Sequence, residues 1–393
     1  MQRRISTMLG SIALVGAVAL VAAGCTADAD PGDGGGTDAV ELTYKAADGT
    51  CASGPADGVD YEASAAYIEA FQKPMTGLVI TDPLPGDIPA GTRVVLLNND
   101  SPVAGVMQSA LEAAAAAAEV EFINIPTGVD AQSINSALNS VVEIAPEIVV
   151  SVAVDGTFWQ DQMAQLEANG TSIVYASNPN AEELGQTDSL GGLAVSKVNG
   201  DVFAHAAINF TCGTGDEFVF YRIPELSFSE IQYQQALVTL GELCADCNLR
   251  VVDISIADPS PADKIVSDLQ AHPETDYFLS AADQFQIGLS DKAALAGITN
   301  AVGMGQSSLP PNIEQIEAGL QNAGFAVDLD IFMWMLLDEG LRKQQDAWDG
   351  YSDWVVVGQA VSRILTQANS ADYLAGFVAY PDKETDFKAL WGR

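Results

Sequence analysis

The sequence predicts an α/β fold of two similar lobes, each a parallel sheet flanked by helices. From Thr92 onward, uninterrupted Val, Ile and Leu runs alternate with helical segments, a pattern typical of parallel strands buried on both faces. The alternation breaks after Ala176 and then resumes as a second set. About 340 residues remain beyond position 57. A chain of this length usually needs more than one hydrophobic core, so we expect two lobes.

The N-terminus has the layout of an export signal. Arg3 and Arg4 precede an apolar run, Leu9 to Gly24, that is shorter than the ~20 residues a membrane-spanning helix needs. The run ends in Val-Ala-Ala-Gly-Cys25, which resembles the lipobox of bacterial lipoproteins, with Ala22 where Leu is commonest. We therefore expect a lipoprotein signal peptide at residues 1–24 and lipid attachment, such as palmitate, at Cys25. A conventional secretory signal is the alternative, and the Sec or Tat route is open.

Residues 25–57 are predicted to form a flexible acidic tether. Thr26 to Thr37 consists mostly of Asp, Gly and Ala, with no large apolar residue. More than one acyl chain on Cys25 would hold the protein stably at a membrane surface. The expected location is therefore the outer face of the cell membrane. An N-terminal helix and lead-in are expected next, at residues 58–87.

The first set of elements begins with a continuous apolar strand. The predicted strands of this set are Arg93–Asn98, Val120–Ile125, Glu147–Val154 and Ser172–Ala176. The predicted helices between them are Val103–Ala118, Asp130–Ala145 and Phe158–Ala168. Each strand is followed by a helix, which favours a parallel sheet covered on both faces.

The second set repeats this order. Its predicted strands are Glu217–Tyr221, Arg250–Ile256, Tyr277–Ser280 and Asn300–Met304. Its predicted helices are Val202–Phe210, Ser229–Leu243, Pro261–Ala271, Gln284–Ala296, Ile313–Asn322 and Asp330–Lys343. The repetition predicts a second lobe of the same kind as the first.

The charge of the chain excludes some partners. The formal net charge is −37, and it becomes −39 (14 basic against 53 acidic residues) if Arg3 and Arg4 leave with the signal. Nucleic acid and anionic lipid are poor partners for such a surface, so we expect no nucleic-acid binding.

Four cysteines remain once Cys25 is set aside. An exported chain meets oxidising conditions, so two disulfides are expected, Cys244 with Cys247 and Cys51 with Cys212. A redox pair or half a zinc site at Cys244 and Cys247 is the alternative. The sequence has only two histidines, and neither has the spacing of a zinc finger, so we expect no metal. The pair of cysteines follows a helical segment, which is not the context of a thioredoxin-like redox pair.

Polar residues follow several predicted strands. In parallel sheets ligands bind beyond the carboxyl ends of the strands, so these residues are candidate ligands for a small hydroxylated solute. The candidates are Asn99, Asp100, Asp155, Trp159, Asn178, Arg222, Asp283 and Gln306. Asp130, Ser229 and Asp330 fit helix N-caps better, and Trp159 fits a core position as well as a stacking one.

The order of these segments resembles a known family. Arg93–Ala118, Asp130–Asp155, Ala281–Leu295 and Trp334–Arg342 are similar to the ribose-type (type I) solute-binding lipoproteins of bacterial ABC importers, especially actinobacterial ones. The resemblance implies lobes joined by a hinge, crossed near Ala194–Asn199 and again near Gly324–Asp328. Lobe 1 would then comprise residues 88–195 and 325–345. Lobe 2 would comprise residues 196–324 and part of 346–393, which also carries a C-terminal extension.

The family pattern matches some positions and departs at others. Asp155, Asn178 and Asp283 match polar ligand positions of the family. Ser101-Pro102 stands where many sugar binders have stacking aromatic residues, and the segment from Leu226 to Ser229 lacks an expected Arg. A sugar or sugar-like molecule is therefore the leading solute. The alternative is a less polar organic solute, bound in a pocket lined by Phe158, Trp159, Phe228 and Trp334.

Enzyme motifs are absent from the sequence. It contains no Gly-x-Ser-x-Gly, no phosphate-binding Gly-Lys-Ser/Thr and no His-Glu-x-x-His. We expect no enzymatic activity and no cofactor. The predicted function is capture of a solute and its delivery to an ABC permease; a lipid-anchored sensor that presents solute to a membrane receptor is the alternative, because the fold does not separate the two.

Overall fold

Two four-stranded parallel sheets organise the protein, which confirms the predicted fold class. The computed structural model describes residues 41–98, 102–128, 130–152, 154, 156–176, 178, 189–190 and 192–393. Four predicted functional residues, Cys25, Asn99, Asp100 and Asp155, lie outside the described residues.

Lobe 1 is built around a sheet of strand order β2-β1-β3-β4, all parallel. The chain reaches it after helix α1 (Tyr61–Ala70). The strands are β1 (Arg93–Asn98), β2 (Glu121–Pro126), β3 (Ile148–Val152) and β4 (Ser172–Ala176). The helices are α2 (Pro102–Ala118), α3 (Ala131–Ile144) and α4 (Gln160–Ala168), with a 3-10 turn at Gly156–Phe158. All five residues of β3 are buried, as a continuous apolar run predicts.

Lobe 2 repeats the same strand order, β6-β5-β7-β8, again parallel. The strands are β5 (Glu217–Arg222), β6 (Asn248–Asp253), β7 (Tyr277–Ser280) and β8 (Gly303–Gly305). The helices are α5 (Leu193–Phe210), α6 (Ser227–Leu243), α7 (Pro261–Ala271), α8 (Leu289–Ala296) and α9 (Pro310–Glu317), with a 3-10 turn at Asp283–Gln286. The helix expected over Gln284–Ala296 is therefore two separate pieces.

Three segments connect the two cores near the cleft. In the first turns of α5, Val195 belongs to the core of lobe 1 and Val198 to that of lobe 2. The other two segments are the antiparallel strands β9 (Ala323–Val327) and β10 (Ser362–Thr366). Neighbouring residues of β9 pack into opposite lobes, Phe325 into lobe 2 and Ala326 into lobe 1. These segments form the hinge region.

The ends of the described chain are fixed to different lobes. Helix α1 packs on lobe 2, and Cys51 is joined by a disulfide to Cys212 at the end of α5. The remaining helices are α10 (Leu329–Lys343), α11 (Trp354–Val361) and α12 (Lys383–Leu390). Trp391, just after α12, lies in the core of lobe 1, where its Nε1 donates to Asp338 at 2.9 Å. The leading segment is thus held by lobe 2 and the tail by lobe 1.

Two of the three predicted helix caps are corrected. Asp130 caps α3, since its carboxylate accepts from the backbone N–H groups of Gln132 and Ser133. Ser229 lies inside α6, where its hydroxyl accepts from the backbone of Ile223. Asp328, rather than Asp330, caps α10 through its contacts with the first-turn N–H groups. Both predicted positions fall inside the helix, because α6 begins at Ser227 and α10 at Leu329, each earlier than expected.

The second disulfide closes a short loop. Cys244 and Cys247 follow α6, with their Cα atoms 5.4 Å apart. Within the described ranges no cluster of three or more His, Cys, Asp or Glu side chains is arranged to hold a metal ion. Nor does any helix in that part of the chain have both the length and the apolar character needed to cross a membrane.

Candidate functional site

A cleft lies between the lobes, at the carboxyl ends of both sheets. Asn98 and Val152 line it from the ends of β1 and β3 in lobe 1. Ile223 and Gln306 follow β5 and β8 in lobe 2 and line the opposite wall. Open α/β sheets bind ligands in this position. The cleft contains a cavity of about 140 Å³.

The hinge forms an apolar floor. Val195 of α5, Val327 at the end of β9 and Val361 at the end of α11 all line the cavity. Met107 and Phe332 add apolar surface from α2 and α10. Among the described residues that line the cavity there is no Lys, Arg, His, Tyr or Trp. The described walls therefore offer dispersion contacts and neutral hydrogen bonds rather than ion pairs.

Asp283 lies in the wall of lobe 2, but protein groups occupy its carboxylate. Gln321 Nε2 donates to both oxygens, at 2.9 and 3.1 Å, and Gln286 Nε2 donates to Oδ1. The Asp283 carbonyl accepts from Asn312 Nδ2 at 2.8 Å. Burial raises the pKa of Asp283 to about 7, and the hydrogen bonds from Gln321 and Gln286 limit that rise. The side chain predicted to bind solute is thus engaged in contacts within lobe 2.

Gln306 contributes to the cleft together with a residue that sequence reasoning missed. Gln232 Nε2, on α6, donates to Gln306 Oε1 at 2.7 Å. Gln232 is only 1% exposed, yet it lines the cavity. Its Oε1 has no hydrogen-bond partner among the described residues. The amide pair thus joins Gln284 and Ser307 among the polar residues of the lobe 2 wall.

Three other predicted ligands lie outside the described lining of the cavity. Trp159 is fully buried in lobe 1, with its ring 5.7 Å from that of Tyr175, so it is a core residue. Arg222 binds both oxygens of Asp253, at 2.8 and 3.0 Å, and also pairs with Glu230. These bonds raise the pKa of Arg222, and they leave its guanidinium committed to lobe 2.

Asn178 is also buried, and it is not among the described residues that line the cavity. Its Nδ2 donates to the carbonyl of Val154 at 2.8 Å, which fixes the chain beyond β4. Of the aromatic residues suggested for a less polar solute, Phe228 lines the cavity. Trp334 stacks on Trp391 in the core of lobe 1, and Phe158 is exposed on its 3-10 turn.

Gln232 carries a signal in the sequence that could have revealed it. The buried positions of α6 are spaced three or four residues apart, and they include Ser229, Gln232, Ala236 and Leu240. A long polar side chain on such a buried stripe needs a partner, because an unpaired buried amide is costly. Strand ends alone do not reveal a residue placed by a helix.

Two lobes with the same strand order, hinged around a cleft at their strand ends, define the α/β fold of type I periplasmic binding proteins. Solved structures share it. One is the myo-inositol-binding protein of Caulobacter bound to myo-inositol, at 17% identity and a TM-score of 0.60 over 73% of this chain and 98% of that one.

Two further solved structures match to a similar extent. An ABC transporter solute-binding protein from Burkholderia graminis, in complex with D-arabinose, has 10% identity and a TM-score of 0.61 over 73% of this chain and 99% of that one. A periplasmic solute-binding protein of an ABC transporter from Actinobacillus succinogenes, with bound D-allose, has 15% identity and a TM-score of 0.58 over 72% of this chain and 100% of that one. At these identities the likeness establishes the fold. Neither a protein-family model nor a curated protein matches the sequence.

Proposed function

We propose that this chain is an extracytoplasmic solute receptor, which captures a small uncharged molecule in its cleft and delivers it to the permease of an ABC importer. The observation that carries the proposal is the cavity itself. It lies between two hinged lobes, and both sheets point the carboxyl ends of their strands into it. Closure of such lobes around a ligand is a hinge motion that a permease can recognise.

The chemistry of the walls supports an uncharged solute. The described lining contains no cationic side chain, and its one carboxylate, that of Asp283, is already bound by Gln321 and Gln286. Neighbours in fold bind D-allose, D-arabinose and myo-inositol, all of them neutral. Sugars and polyols are therefore the first class to test, and we propose no enzymatic activity and no cofactor.

A thermal-shift screen of the purified protein tests this function. A ligand that binds only the folded state raises the melting temperature, with about 2.7 kcal/mol gained at a hundredfold excess over Kd. We expect a rise with one class of neutral solutes and none with amino acids or nucleotides. If no small molecule raises the melting temperature, the receptor function is rejected.

We further propose that lipid on Cys25 holds this receptor at the outer face of the membrane. The support is the lipobox-like run before Cys25 and the flexible composition after it. Replacing Cys25 with Ser should move the protein from the membrane fraction to the medium, as fractionation and immunoblotting would show. If the variant stays in the membrane fraction as fully as the native chain, Cys25 is not the anchor.

A further inference from the structure

Gln232 brings a half-paired amide to the described wall of the cleft. One end of the amide is paired, since Nε2 donates to Gln306 Oε1 at 2.7 Å. The other end, Oε1, is buried and has no partner among the described residues. Leaving a buried acceptor unpaired costs about 1–3 kcal/mol, so this atom needs a donor. Because Gln232 lines the cavity, a bound solute can supply that donor.

Most of the described cavity surface is apolar. Ile223 and Phe228 flank the lobe 2 wall, while Met107 and Val152 face them from lobe 1. Val361 belongs to the floor. A solute with hydroxyls on every side would bury several of these hydroxyls against apolar side chains, where the hydroxyls would have no hydrogen-bond partners. Each such burial costs roughly 1–3 kcal/mol, and apolar surface in the same place gains about 25 cal/mol per Å².

Three other polar groups of the cavity lining are committed to the protein. The Asp283 carboxylate accepts from Gln321 and Gln286. In lobe 1, Asn98 Nδ2 donates to the carbonyl of Ala104 at 2.8 Å. At the floor, the Ser362 hydroxyl donates to the carbonyl of Gly358. Among the described residues that line the cavity, Gln232 is the one with a buried side-chain acceptor that has no partner.

We infer that the solute is an uncharged amphipathic molecule: a compact apolar ring or chain with a hydroxyl or N–H at one end that donates to Gln232 Oε1. This inference rests on the proposed receptor function and narrows its solute class. It sets the solute apart from fully hydroxylated sugars and cyclitols. Gln232 is then the residue that determines specificity, and it acts from helix α6 rather than from a strand end.

Two compounds that share a six-membered carbon ring test the inference: cis-1,2-cyclohexanediol and myo-inositol. Isothermal titration calorimetry should give a Kd for the diol at least tenfold lower than that for myo-inositol. The reverse order overturns the inference and leaves the receptor function standing. If neither compound binds at millimolar concentration, the inference is rejected, and the wider thermal-shift screen decides separately whether a neutral solute binds at all.

The variant Gln232→Leu tests the role of the acceptor. It should weaken binding of the diol about tenfold or more, through loss of the hydrogen bond. Its effect on the melting temperature of the ligand-free protein should be small, because removal of an unpaired buried acceptor offsets loss of the bond to Gln306. A merely structural glutamine would lower stability and leave the Kd of the folded variant unchanged. The variant must fold for its Kd to count, and circular dichroism checks that.

The matched control is Gln234→Leu. Gln234 lies two residues further along α6, is exposed, and donates to Glu230 at 2.9 Å. This change should leave the Kd of the diol unaltered. An unchanged Kd in Gln232→Leu, or an equal loss in both variants, overturns the assignment of Gln232. If Gln232→Leu fails to fold, Gln232→Asn, which withdraws the amide by one methylene, should produce the same loss of affinity.

Discussion

At the scale of single residues, the buried carboxylate of Asp283 couples the stability of lobe 2 to pH. Its hydrogen-bond donors include the neutral amides of Gln321 and Gln286, and none of the described salt bridges includes it. Burial without a cation favours the protonated form, which is why the pKa rises to about 7.

The pKa of Asp283 predicts a stability that falls as pH rises. Its ordinary pKa is 3.8, so between pH 4 and 7 the folded protein holds a proton that the unfolded chain has lost. The free energy of unfolding should fall by up to about 1.4 kcal/mol per pH unit over this range. Urea titrations at several pH values should show this slope in the native protein and a smaller one in Asp283→Asn. Equal slopes would contradict the prediction.

At the scale of elements, α5 and α6 approach each other closely because of a glycine. A Cβ on Gly200 would stand 2.6 Å from the backbone carbonyl oxygen of Gln232, too close for any side chain. Backbone does not yield as a flexible side chain does, so α5 and α6 would have to separate. This contact also sets the position of Gln232 in the cleft wall.

Gly200→Ala should therefore destabilise the protein by about 1–3 kcal/mol. The matched control is Gly241→Ala in α6, where a new Cβ meets nothing within 4 Å and alanine favours the helix by about 1 kcal/mol. Chemical denaturation of both variants would measure the difference. A neutral Gly200→Ala would show that α5 and α6 can separate without cost.

The helices and strands also show how much of the secondary structure the sequence alone predicts. The predicted bounds of strands such as β1 match the observed ones, because a short apolar run between polar ends is typical of a buried strand. Helix α5 was expected to begin at Val202, nine residues too late. Its first turns carry the polar residues Ser196 and Asn199, which are buried and line the cleft. No periodic pattern marks such a face.

The candidate site was predictable to a similar extent. Gln306 follows a strand, and it is among the described residues that line the cleft. Gln232 was missed because its position depends on how α6 packs on α5. Trp159 and Arg222 lie outside the described lining, since one packs on Tyr175 and the other pairs with Asp253, which the sequence cannot show. These are contacts across the fold, set by tertiary packing.

At the scale of the whole molecule, the disulfide between Cys51 and Cys212 ties the leading segment to lobe 2. It spans 161 residues of sequence. Cross-links over long loops restrict the unfolded chain most, by about 3–5 kcal/mol for a loop of this length. The same segment adds bonds to lobe 2, from Lys45 N to the Phe210 carbonyl and from Tyr44 Oη to the Asp276 carbonyl.

Removing this disulfide should therefore cost far more than removing the other one. The double variant Cys51→Ser with Cys212→Ser should lose about 3–5 kcal/mol of unfolding free energy. Cys244→Ser with Cys247→Ser opens a loop of separation 3, and its loss should be smaller. Calorimetry under oxidising conditions compares the two, and an equal loss would mean that the long cross-link adds no special constraint.

The attachment of the two chain ends to opposite lobes has a practical consequence. Lobe 2 holds the leading segment through Cys212, and lobe 1 holds the tail through Trp391. A donor fluorophore near residue 41 and an acceptor beyond Arg393 would therefore ride on different rigid bodies. Their energy-transfer efficiency would change whenever the lobes move, without any label inside the cleft. The attachment of these two segments to different lobes would make the doubly labelled chain an optical reporter of its own closure.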